Sequence, residues 1–138
     1  MRLTFIQRLF THLTFFSLLF SGIVWLIFNF YLDFDSPLRF LNMWNLKLHG
    51  ISAFGFLISF GMILSTHISF NWHVKKNRRI SGIILVIIFS MLILSGYFLY
   101  YSGSDVIRDF CSYSHWILGL ICSIFFTIHF LKKSKAKK

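Results

Sequence analysis

Four apolar runs separated by short polar clusters make up most of the chain: Leu9 to Leu32, Leu48 to Phe70, Ile80 to Tyr101 and Tyr113 to Leu131. None of them contains Asp, Glu, Lys or Arg. A bilayer core of about 30 Å is crossed by roughly 20 apolar residues in helical form, and every run reaches that length. Lipid offers no partner to a backbone amide, so each run predicts an α-helix, and the short connections predict antiparallel neighbours. The expected fold is all-α: an integral-membrane, up-down four-helix bundle forming a single transmembrane domain over 1–138.

Composition agrees with the pattern. The 138 residues are 57% hydrophobic and 20% aromatic, with 19 phenylalanines against 4 acidic side chains, more apolar surface than a soluble domain of this size can bury. The first run follows Arg2 and Arg8 as a signal peptide would, yet it is too long and lacks a small-residue cleavage site, so it is expected to stay. No internal repeat or low-complexity linker stands out, and there is no room for a soluble domain.

Charge adds orientation. Eleven basic residues (Arg2, Arg8, Lys75, Lys76, Arg78, Arg79 and the tail lysines from Lys132 to Lys138) fall on one side of the spans. Arg39, Lys47 and Arg108 fall on the other, with all the acids: Asp33, Asp35, Asp105 and Asp109. Basic loops stay cytoplasmic, so both termini are expected there, and a bacterial inner (plasma) membrane is the expected setting. A net charge of +10 also raises nucleic acid as a partner, but topology and anionic headgroups account for these charges, and no nucleic-acid partner is expected. Trp44, Trp72, Tyr97, Tyr100, Tyr101, Tyr113 and Trp116 read as interfacial belts.

The histidines carry the candidate chemistry. His12 lies near the cytoplasmic end of the first helix, His49 near the outer end of the second, His115 and His129 near the outer and inner ends of the fourth, and the third helix has none. His67 closes the second run on the inner side and His73 sits in the basic loop. Fourteen positions separate His115 from His129, a turn of roughly 1400° and a rise of roughly 21 Å, so they share a face at different depths. One metal ion cannot join them, and no i, i+4 histidine pair exists in the chain. Two cofactors, each held by two imidazoles at its own depth, suit the spacing, and two b-type haems stacked about 20 Å apart would span most of the apolar core. A single interfacial histidine is ordinarily bonded to headgroups or a carbonyl, which suits His67 and His73; four ionisable groups at matched depths within spans point instead to function. The cysteines Cys111 and Cys122 are eleven positions apart, roughly 16 Å along one helix and too far to bridge, and the absence of C-x-x-C-H excludes a covalently attached c-type haem.

In order and spacing, His12, His49 and the pair His115 and His129 resemble the ligands of the four-helix di-haem cytochromes b, the group that includes the cytochrome b subunits of formate dehydrogenase and nickel-iron hydrogenase and bacterial cytochrome b-561 proteins. The resemblance implies that His12 with His129 ligates the inner haem iron and His49 with His115 the outer one. His67, eighteen positions after His49 and on the same helix face, stays open as the alternative inner ligand. Arg8 and Lys47 are placed to pair with haem propionates, or equally with lipid phosphate. Gly22, Gly55, Gly61 and Gly119 either let a flat ring approach the backbone or serve packing alone. The family exchanges electrons with quinone near the inner haem, where this chain has Asn71, His73 and Lys75; the same segment also reads as a topology-setting basic loop.

Three functions follow. The first is an electron carrier between the quinone pool and an outer-face redox protein or dehydrogenase or hydrogenase subunits, although the compact loops leave no extra span for docking them. The second is a stand-alone membrane oxidoreductase acting on superoxide or ferric iron at the outer haem. The third is a haem-free scaffold whose aromatic faces pack on other spans.

Overall fold

The computed structural model describes residues 4–31, 36–65 and 79–135, the side chains of 79 and 130–135 excepted. Helices α1 (Phe5–Tyr31), α2 (Arg39–Ile63), α3 (Arg79–Tyr101) and α4 (Asp105–Lys135) follow in chain order, with no strand among the described residues. All four are long and apolar enough to cross a membrane. Their large apolar side chains point mostly outward, Phe54 and Ile51 on α2 and Ile87 on α3 among them, as lipid-facing positions do. The architecture is all-helical and compatible with a four-helix membrane bundle.

Three of the helices begin well before the apolar runs, because hydropathy marks what lipid tolerates whereas a helix begins where its first amides find partners. At α1, Thr4 and Gln7 form a reciprocal cap: the Thr4 amide donates to Gln7 Oε1 at 2.9 Å and the Gln7 amide to Thr4 Oγ1 at 3.2 Å. Helix α2 starts nine residues before the apolar run, just after Pro37, and the Arg39 amide donates to the Ser36 carbonyl at 3.0 Å. Helix α4 opens on Asp105, whose carboxylate suits the positive helix start and receives Arg108 at 2.6 Å.

The chain divides into two compact units, Met1–Val74 and Lys75–Lys138. Each is an antiparallel helix hairpin. In the first, Thr14 lies against Gly55, Ser17 Oγ meets Ser52 Oγ at 2.7 Å, and Ser21 meets His49. Lipid is as apolar as leucine, so small and hydroxylated residues that let backbones approach hold such a seam together. A Cβ at Gly55 would lie 2.9 Å from Thr14 Cγ2, which makes glycine necessary at that contact. Phe15 and Phe56, with ring centroids 6.2 Å apart, fill the space beside it.

In the second hairpin the connection between α3 and α4 is only 102–104, closed by the Ser104 amide on Ser102 Oγ at 3.2 Å. Tyr97 and Tyr101 (4.7 Å between centroids) and Tyr113 with Trp116 (6.4 Å) cluster toward this end, the placement expected of an interfacial belt. Cys111 and Cys122 are both buried free thiols on α4. Trp72 lies outside the described residues.

Candidate cofactor-ligand histidines

Each of the four span histidines is half-buried, and each engages its Nδ1. His12 sits two turns into α1, and its Nδ1 reaches back to the Arg8 carbonyl of its own helix at 2.5 Å. A carbonyl only accepts, so this nitrogen carries the proton. His49 projects from α2 onto α1, where its Nδ1 lies 2.8 Å from Ser21 Oγ. His115 projects from α4 onto α3 with Nδ1 2.8 Å from Ser95 Oγ. His129, nearly four turns further along α4, meets Ser81 Oγ of α3 at 3.0 Å.

The register of each hairpin follows from these contacts. In the second, both histidines cross to α3 at partners spaced as they are, so the two rings are separated by the full fourteen positions, roughly 21 Å, and face the same way. In the first, His12 lies level with α2 near Leu57, eight positions or roughly 12 Å from His49. Side chains lean toward the start of their own helix, and here that means opposite directions: His12 toward Arg8, His49 toward Ser21 and Gly22. The two imidazoles therefore splay apart by more than their backbones do.

Of the flanking cations, Lys47 extends over the Trp44 ring with Nζ 4.3 Å from its centroid, a cation–π contact that holds the charge against α2. Arg8 is exposed on α1 one turn before His12. His67, His73, Asn71 and Lys75 lie outside the described residues, and with them the alternative inner ligand and the quinone-facing segment. Among the described residues no three His, Cys, Asp or Glu side chains gather as a metal cluster. Of the glycines singled out for close approach, Gly22 does lie beside a histidine: a Cβ there would stand 3.6 Å from His49 Cε1. Gly55 serves helix packing, and Gly61 and Gly119 have open space beside them.

Sequence reasoning overlooked the serines. Ser21, Ser81 and Ser95 are each directed at a histidine, and on α3, the helix without histidine, Ser81 and Ser95 repeat the fourteen-residue spacing of His129 and His115. That match was available in the sequence. Asn45 adds a further seam contact, donating from Nδ2 to the Ser21 carbonyl at 2.8 Å. No protein-family model, curated protein or solved structure matches this chain, so the residues themselves carry the functional reading.

Proposed function

We propose that this chain is a b-type di-haem membrane cytochrome, of the kind it resembles, which carries electrons across a bacterial inner membrane between the quinone pool and a redox partner or acceptor at the outer face. The observation that carries the reading is the engagement of Nδ1 in all four span histidines. An imidazole that binds metal through one nitrogen commonly has the other held by a hydrogen bond, which fixes ring orientation and raises ligand basicity. The donor set fits haem iron, which accepts histidine axially, and facing helices supply such ligands.

In this reading His49 with His115 and His12 with His129 are the ligand pairs, following the resemblance. Bound haem would supply one-electron chemistry, the iron alternating between ferric and ferrous states. The chain's own residues bind and orient: serine hydroxyls and the Arg8 carbonyl aim the rings, while the apolar helices exclude water. Lys47 and Arg8 would neutralise haem carboxylates at the two surfaces. The basic segment with Asn71, His73 and Lys75 would meet quinone on the cytoplasmic side, where both termini also lie.

The test is electron transfer across sealed vesicles. Haem-loaded protein is placed in a bilayer with a membrane-impermeant oxidant trapped inside and an impermeant reductant outside. The oxidant should be reduced at a rate proportional to protein, and His129→Ala should stop it. Vesicles with wild-type protein that behave like empty ones would overturn the proposal.

A further inference from the structure

Four of the chain's eight glycines directly follow a serine, and three of these pairs, Ser21–Gly22, Ser81–Gly82 and Ser95–Gly96, lie within helices. All three serines bond a histidine on the facing helix of the same hairpin, at 2.8, 3.0 and 2.8 Å respectively. At two of them the glycine touches the same ring: a Cβ at Gly22 would be 3.6 Å from His49 Cε1, and one at Gly96 would be 3.4 Å from His115 Cε1. The imidazole thus brings its Cε1 edge close to backbone with its Nδ1 on the neighbouring hydroxyl. A bulky side chain in place of either glycine would push the ring away.

Counting protons gives two of these bonds a direction consistent with the serines' own-helix contacts. A serine hydroxyl has one proton to give. Ser21 Oγ is 2.7 Å from the Ser17 carbonyl and 3.1 Å from the Leu18 carbonyl, and Ser95 Oγ is 3.1 Å from the Leu92 carbonyl. Carbonyls can only accept, so where the hydroxyl gives its proton to its own helix, its oxygen is left to receive one from the histidine. In that arrangement His49 and His115 donate from Nδ1, and a neutral imidazole protonated there has its lone pair on Nε2.

We propose that Ser21–Gly22 and Ser95–Gly96 are histidine seats, in which the serine is a positioning residue that locks His49 or His115 in the Nε2 lone-pair tautomer and the glycine lets the ring rest on the facing backbone. Ser81 seats His129 by its hydroxyl alone, Gly82 having open space beside it. The role of the seats in iron ligation rests on the di-haem reading; the seats themselves do not. A serine that merely satisfied itself by bonding its own helix would leave the histidine indifferent to its loss.

Two readouts on the full chain in detergent test this. Nitrogen-15 shifts of labelled histidine report the tautomer in haem-free protein, and redox titration reports the midpoint potential of each haem in loaded protein. Ser95→Ala and Ser21→Ala should each turn one histidine from a single Nδ1–H form to a mixture, shift the potential of one haem only, and weaken its binding about 10- to 100-fold. Ser95→Thr, which keeps the hydroxyl, should restore all three. If wild-type protein binds haem while Ser95→Ala changes neither tautomer nor potential, the seats are overturned and the di-haem reading stands. If wild-type protein takes up no haem while Ser95→Ala still scrambles the His115 tautomer, the seats stand and the reading falls.

Discussion

In the α3–α4 hairpin a fourteen-residue repeat of serine on one helix meets a fourteen-residue repeat of histidine on the other, so both rings are aimed by contacts across the seam. In the α1–α2 hairpin His49 is aimed that way by Ser21, while the Nδ1 of His12 turns to a carbonyl of its own helix. A cross-seam bond ties ring orientation to hairpin register; an own-helix bond survives any shift of the neighbour. The second hairpin thus ties two rings to its register and the first ties His49, while His12 and His67 remain the two candidates for the proposed inner ligand.

Removing a ligand is the largest perturbation. His115→Ala and His129→Ala should each cost one of two haems outright, measured as haem per chain after purification. His12→Ala should match His129→Ala in which haem disappears; loss on His67→Ala with retention on His12→Ala would move the inner ligand to the end of the second apolar run. Next in size is the seam of the first hairpin. Gly55→Ala sets a methyl 2.9 Å from Thr14 Cγ2 and should destabilise the protein by about 1–3 kcal/mol in denaturant titration. Gly82→Ala, in open space on α3, should be neutral or stabilising by up to about 1 kcal/mol, since alanine is the better helix former. Equal losses at the two sites would erase the distinction between the seams.

Asn45→Ala removes the 2.8 Å bond to the Ser21 carbonyl and should cost about 0.6 kcal/mol, the usual scale for a polar contact between membrane helices. Because that bond steadies the backbone under the His49 seat, a broadened His49 tautomer signal with His115 unchanged is expected beside it. The smallest effect belongs to Asp105→Asn. Its carboxylate pairs with Arg108 in an exposed i, i+3 bridge, so only a slight stability loss is expected at low ionic strength, and high salt should abolish it.

Much of the fold was legible because membranes impose few solutions: apolar length fixed the number of helices, and their polar extensions were missed because a hydropathy window ends where charges begin. The reciprocal Thr4–Gln7 cap and the Asp105 start are local signals that place two of those ends. The histidines stood out as costly groups in spans. Their serine partners did not, since serine is cheap in a membrane helix and reads as packing until its register against another helix is known. Only the matched spacing of 81 and 95 against 129 and 115 carried that register in the sequence. Lys47 shows the converse: its place beside His49 was visible, its rest on Trp44 was not.

The central claim is that four imidazoles of one chain hold two haems. Protein purified in mild detergent, after expression in cells supplied with haem precursor, should give a reduced-minus-oxidised visible spectrum of b-type haem with two haems per chain, the oxidised form showing the low-spin signature of paired imidazole ligands. A colourless, well-folded protein would contradict it.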